Sequence, residues 1–213
     1  MSKYKKLLIV IFALASAFGS SANAGANIVT FGFTGSVFYS DPNLNSPINS
    51  LVSGNFPYDL NAPVTTYFSS PPTTYSYYYY SAPNALTINF SGHTVTSDIL
   101  SYSLQDNSGS NANDSFVLGA GSVKLDGLDY GHLSLTLGSS PDPSNALTSD
   151  LPPRTLDLAL FNNRSNFGDI VKDNDTKLQF SILSITPVPE PESYALLLAG
   201  LSIIGLMIRP KKC

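Results

Sequence analysis

Leu133-Ser134-Leu135-Thr136-Leu137 puts a large apolar side chain at every second position, with a small hydroxyl residue between each pair. Successive side chains leave opposite sides of an extended chain, so this period of two describes a strand with one buried face and one wetted face. The same alternation runs outward in both directions. Leu86, Ile88 and Phe90 alternate with polar neighbours upstream, and Leu156, Leu158, Leu160 and then Leu178, Phe180, Ile182 do so downstream. Ile28, Phe31 and Phe33 lead into an apolar run at 37–39. Shorter stretches of strand character lie at 51–58, 75–80, 93–95, 99–104, 115–118 and 123–125, with Gly119-Ala120-Gly121 and Asp126-Gly127 as turns between them. Many short strands with one apolar face each, and no helical period between 25 and 187, predict an all-β domain. The expected form is an antiparallel β-sandwich of the jelly-roll kind.

Composition supports the strand reading. Between Gly25 and Pro187 there are five cations against thirteen aspartates and no glutamate, a net charge of −8. Short polar side chains of the Asp, Asn and Ser type compete for nearby backbone groups, so they favour turns and disfavour helix. An acidic surface repels phosphate backbones, which excludes nucleic acid as an expected partner. Pro63, Pro71 and Pro72 within 61–72, and Pro141, Pro143, Pro152 and Pro153 within 139–153, mark two long surface loops. The single cysteine is Cys213, the last residue, so no disulfide is available to the domain and packing alone must hold it.

Both ends of the chain read as targeting segments. Lys3, Lys5 and Lys6 precede an apolar run over 7–18, and Ala22-Asn23-Ala24 supplies the small-x-small site that signal peptidase accepts. Residues 1–24 are therefore expected to be a signal peptide in helical form, with cleavage after Ala24 and a mature chain starting at Gly25. An uncleaved anchor is the competing reading, and the apolar run is short for one. At the other end, 188–193 is a Pro/Glu spacer, 194–208 an apolar stretch and 209–213 a basic tail with Arg209, Lys211 and Lys212 as a membrane stop. Fifteen residues of helix rise about 22 Å, against about 30 Å of hydrocarbon. A core helix therefore competes on length. The stretch is apolar all round and abuts cations, which favours one short transmembrane helix whose basic residues snorkel.

Val188-Pro189-Glu190-Pro191, the apolar helix and the basic end together resemble the PEP-CTERM sorting signal of secreted bacterial proteins. The resemblance implies recognition by an exosortase, processing near Pro189-Glu190-Pro191, and delivery from a membrane-anchored precursor to the cell surface or extracellular matrix of a Gram-negative bacterium that makes exopolysaccharide. Within that picture the motif is a substrate: Pro189 and Pro191 hold the backbone extended and out of the helix.

Nothing between the two ends carries an evident chemistry. His93 and His132 each lie inside an expected strand directly after a glycine, without a recognisable nucleophile or acid beside them in sequence. Asp106–Asp114 and Asp173-Asn174-Asp175 offer oxygen ligands of the kind calcium takes, yet neither has the spacing of a calcium loop, and turns are the plainer reading. No metal or cofactor is expected. Tyr75, Tyr77 and Tyr79 form the candidate ligand platform, since tyrosine rings stack on sugars, but alternation sends Tyr78 and Tyr80 to the opposite face and an ordinary amphipathic strand explains the run as well. The expected role is a non-catalytic structural or adhesive ectodomain associated with biofilm, with signal peptidase and exosortase as processing partners. The alternative is a carbohydrate-binding module for the cell's own extracellular polysaccharide.

Overall fold

A computed structural model describes residues 27–70, 73–107, 114–139, 146, 147, 149, 151–161, 166–189, 198 and 200–202, with backbone alone at 66–70, 73–75 and 107. Nine strands account for most of them: β1 (Ile28–Ser40), β2 (Leu51–Asp59), β3 (Thr66–Ser70), β4 (Thr73–Phe90), β5 (His93–Asn107), β6 (Ser115–Leu125), β7 (Leu128–Gly138), β8 (Phe167–Lys172) and β9 (Asp175–Val188). Every pairing is antiparallel, and each of the strands from β4 to β9 lies beside its successor in sequence. β1 pairs with β2 from Ile28↔Asp59 to Ser36↔Leu51, and two further pairings close the ring. β9 pairs with β1 from Thr30↔Val188 to Ser40↔Leu178, and β2 pairs with β4 from Val52↔Phe90 to Asn55↔Thr87. The result is an eight-stranded up-and-down barrel, with β3 attached only to the outlying end of β4 among the described pairings.

The all-β reading therefore holds, and the sandwich reading does not: the sheet closes on itself instead of packing against a second sheet. Alternation reports that a strand has one buried face, and it is silent on whether that face meets another sheet or its own far wall. The β2–β4 pairing that decides the matter lies between residues about 35 apart, beyond the range of any local pattern.

The two ends of the barrel differ in kind. At one end, Ser91-Gly92, Asp126-Gly127 and Asp173-Asn174 each join two strands with both residues at positive φ, between 45° and 86°. This is the primed two-residue turn whose twist matches that of the flanking strands, and it favours Gly, Asn and Asp. Between β1 and β2 at this same end, a short 3-10 turn at Pro42–Leu44 is capped by Asp41, whose carboxylate accepts from the Asn43 backbone N–H at 2.8 Å. The connections 60–72, 108–114 and 139–166 lead from the opposite end, and both Asn27 and Val188 leave the barrel there.

Eight strands enclose a space that side chains can just fill. Here they fill it with rings: Phe31, Phe56, Tyr58, Tyr78, Tyr102, Phe116 and Phe180 are all buried. Phe33 and Phe180 stack at 6.0 Å with their planes 5° apart, and Tyr78 stacks on Tyr102 at 5.1 Å. Two glycines make room. Gly54 lies opposite Phe33 and Gly168 opposite Phe180, and a Cβ at either would come within 2.6 Å or less of the facing ring. The space bounded by Phe33, Phe56, Phe116, Leu135, Leu137, Ile182 and Ile185 amounts to about 10 Å³, too small for a ligand. Outward positions carry Thr34, Ser36, Ser101, Ser103, Ser134, Thr136, Gln179 and Ser181, interrupted by a few apolar residues such as Leu51 and Leu183. An apolar filling inside a largely polar wall is the reverse of a membrane-spanning barrel, which turns its apolar band outward.

Several local expectations are corrected. The stretches at 75–80 and 86–90 are one strand with an irregularity between Ser81 and Leu86, and those at 93–95 and 99–104 are likewise one strand. Gly119-Ala120-Gly121 is no turn; it belongs to β6, which bulges between Ala120 and Val123. β8 and β3 carry too few alternating residues to announce themselves, and β3 occupies part of the 61–72 loop. Leu156, Leu158 and Leu160 form no strand. Asp157 turns the chain there, accepting from the Ala159 N–H at 3.0 Å, and Leu147, Leu156 and Phe161 enter the core. The described residues of the 139–166 connection thus form a floor to the barrel. Asp114 accepts from the Leu147 N–H at 2.8 Å, and Asn166 ties Gly138 to Phe161.

Two phenols sit in that floor. Tyr58 donates to the Pro153 carbonyl, and Tyr102 donates to the Asp59 carbonyl at 2.9 Å. Burial pushes both hydroxyls well above the ordinary phenol value of 10.0, with the neighbouring Tyr102 and Asp59 charges adding to it at Tyr58 and Tyr102 respectively. A pKa raised in the folded state means stability that is complete below the unfolded value and is lost as pH rises through it. The barrel is accordingly expected to weaken progressively above about pH 10, with Tyr58 and Tyr102 ionising only as it opens. Tyrosinate absorbance followed alongside circular dichroism checks this: ionisation of Tyr58 and Tyr102 should coincide with loss of strand signal.

Candidate functional site

The segment with the most specific chemistry in the sequence starts inside the barrel wall. Pro187 and Val188 are the last residues of β9, paired with Phe31 and Thr30 of β1, and Pro189 follows directly. Thr186, Pro187, Val188 and Pro189 are all exposed, whereas Ile185 is the last residue of the strand to reach the core. One residue further in, Thr34 and Ser184 join β1 and β9 through a hydroxyl pair at 2.6 Å. Glu190 and Pro191 lie outside the described residues, as do Ala22, Ala24 and Gly25 of the leader and Arg209, Lys211 and Lys212 of the tail. Of the expected helix over 194–208, Leu198, Gly200, Leu201 and Ser202 are helical, and Ser202 Oγ donates to the Leu198 carbonyl at 2.7 Å. Among the described residues no helix is long and apolar enough to cross a membrane.

β4 carries the tyrosine run as alternation requires. Tyr77 and Tyr79 point outward with 41% and 59% of their surface exposed, while Tyr78 is 1% exposed beneath the Tyr102 ring. Across the strand they face Ser103 and Ser101 of β5. They thus stand on the convex outer wall. Tyr75 lies on the same strand, and its side chain is outside the described residues.

A cleft of about 400 Å³ opens at the short-turn end, lined among others by Asp41, Asn43, His93, Tyr130, Lys172 and Lys177. Its charges largely answer one another. Lys177 Nζ lies 2.6 Å from Asp175 and 3.2 Å from Asp41, which raises the lysine above its ordinary value through Asp175 first and Asp41 second. Asp41 is held low chiefly by the Asn43 N–H and then by Lys177. Since Asp41 follows β1 and Lys177 belongs to β9, this ion pair clasps the β1–β9 seam at the end away from the chain termini. Lys172 lies over the Tyr130 ring, 5.1 Å from its centre.

His93 lines the same cleft, with Nδ1 2.7 Å from Asp126 Oδ2 and Nε2 3.0 Å from the Leu44 carbonyl. The histidine hydrogen bond, then the Thr94 N–H, keep the Asp126 carboxylate below its ordinary value. A catalytic Asp–His pair keeps the second ring nitrogen free for a nucleophile's proton. In His93 that nitrogen is committed to a backbone carbonyl, so the contact fastens the 42–50 loop to β5. His132 is on the outer face of β7. Asp173 and Asn174 form a turn, Asp175 serves Lys177, and no group of metal-ligating side chains is found among the described residues. Sequence reasoning did not anticipate His93–Asp126 or Lys177–Asp41, whose members are 33 and 136 residues apart.

By fold and site, the molecule is a small closed β-barrel with a processing segment fused to its last strand. That segment, residues 187–212, matches the PEP-CTERM protein-sorting motif. The match is consistent with an exosortase substrate and supports an exported, surface-directed protein, and it covers the C-terminal segment without reaching the barrel interior. No curated protein and no solved structure matches the chain.

Proposed function

We propose that the protein is a non-catalytic structural or adhesive barrel, carried to the outside of a Gram-negative cell and displayed in its exopolysaccharide matrix. In this reading, 1–24 is the leader removed by signal peptidase, 194–208 holds the precursor in the membrane, and an exosortase acts near Pro189-Glu190-Pro191. The observation that carries it is the sorting motif that begins on the last two paired residues of the final barrel strand and runs on beyond it, as a tail on a folded cargo. The cargo itself is built for cohesion: its interior is filled by rings, and the ionisable groups of its cleft are largely paired with one another or with backbone. Grafting residues 187–213 onto an unrelated exported protein tests the sorting half. The fusion is expected at the surface of a host that has an exosortase and retained in the membrane of one that lacks it.

The exposure of Tyr77 and Tyr79 supports a second reading, in which the outer wall of β4 binds the cell's own polysaccharide. Affinity electrophoresis against that polysaccharide separates the two: retardation that disappears in a Tyr77→Ala/Tyr79→Ala variant favours the binder, and unretarded migration of the unmodified protein favours the scaffold.

A further inference from the structure

The sorting motif and the barrel share residues. Pro187 and Val188 are at once the beginning of the matched segment and the last two paired residues of β9. A protease takes an extended substrate by bonding to its backbone and enclosing the chain, and a strand already laddered to a neighbour cannot offer that edge. The way the seam is built at this end makes release local. Beyond Ile182, β9 has no partner on its β8 side among the described residues, so β1 alone holds 186–188. Pro187 lies opposite Phe31, whose backbone bonds toward β2, so its missing N–H falls on the open β8-side edge, and β1 holds this stretch only through Thr186 and Val188. The Val188 side chain rests over Gly32 and is 43% exposed. Inward of these residues the hold becomes firm, with the Thr34–Ser184 hydroxyl pair, the buried Ile185 and, at the far end, the Lys177–Asp41 clasp.

We infer that residues 186–188 must peel away from β1 before the sorting protease can act, so that the barrel's own β1–β9 seam governs the rate of processing. The inference rests on the sorting reading above. Strand ends with few buried contacts open at small free-energy cost, so the step slows processing without blocking it. It leaves the barrel closed up to Ile185 and its long-loop end turned toward the protease.

The test inserts Gly-Ser-Gly-Ser-Pro-Val after Val188 in the full-length precursor, which gives the motif a second, unpaired Pro-Val while the original pair stays in β9. In an exosortase-bearing host, pulse-chase labelling should show the tail lost about tenfold faster than from the unmodified chain, equivalent to about 1.4 kcal/mol of fraying. Ser184→Ala, which removes the Thr34–Ser184 hydroxyl pair at the root of this stretch, should speed loss of the tail in the native context and have no effect in the chain with the insertion. Equal rates for the unmodified and inserted chains overturn the inference. If neither chain is processed although both are exported, the sorting reading itself fails.

Discussion

Phe180→Ala is expected to destabilise the barrel by about 3–5 kcal/mol, the usual cost of emptying an aromatic site that cannot collapse. Three features make this site rigid. The ring stacks on Phe33, covers Gly168 across the β8–β9 pairing and comes close to Gly35 of β1. Glycine has no side chain with which to fill the space, and the closed wall limits how far neighbouring strands can move inward. A typical domain has about 5–15 kcal/mol in total, so this one change removes a large share. Urea denaturation followed by circular dichroism measures it, and a loss under about 1 kcal/mol would mean that the ring is not packed as described.

Replacing Pro189, Glu190 and Pro191 together by alanine is expected to abolish processing while leaving the fold untouched. The substituted residues lie beyond the last paired residue of β9, so urea midpoints should coincide with those of the unmodified protein. Alanine also removes the constraint that keeps this stretch extended and lets the following helix grow backward toward Val188. Immunoblots of cell fractions should therefore show the longer precursor accumulating in the membrane. Normal release of the variant would detach sorting from the tripeptide.

What could be read from the sequence divides by range. Leu133 to Leu137 and Leu178 to Ile182 announce their strands and their buried faces because the evidence lies within five residues. Asp126-Gly127 announces its turn for the same reason. Closure of the barrel depends on Val52 meeting Phe90 and Thr30 meeting Val188, contacts that no window of alternation contains. Leu156 shows the opposite failure: period two appears without a strand, because Asp157 bends the chain and Leu156 drops into the floor. At the site, the tripeptide and its flanks were legible since a sorting enzyme reads them as linear sequence. That the motif begins within a paired strand was not legible, because the bounds of β9 depend on β1, more than 140 residues earlier. The tyrosine run was half legible: alternation correctly divided Tyr77 and Tyr79 from Tyr78, but the curvature of the wall that carries them follows from closure.

In the proposed function this barrel travels as cargo on a removable tail, and intact-mass spectrometry of the protein recovered from the cell surface and matrix is the decisive measurement. The mature chain is expected to end near Pro189-Glu190-Pro191, with everything beyond it absent. A surface form that still carries Arg209 to Cys213 would contradict it.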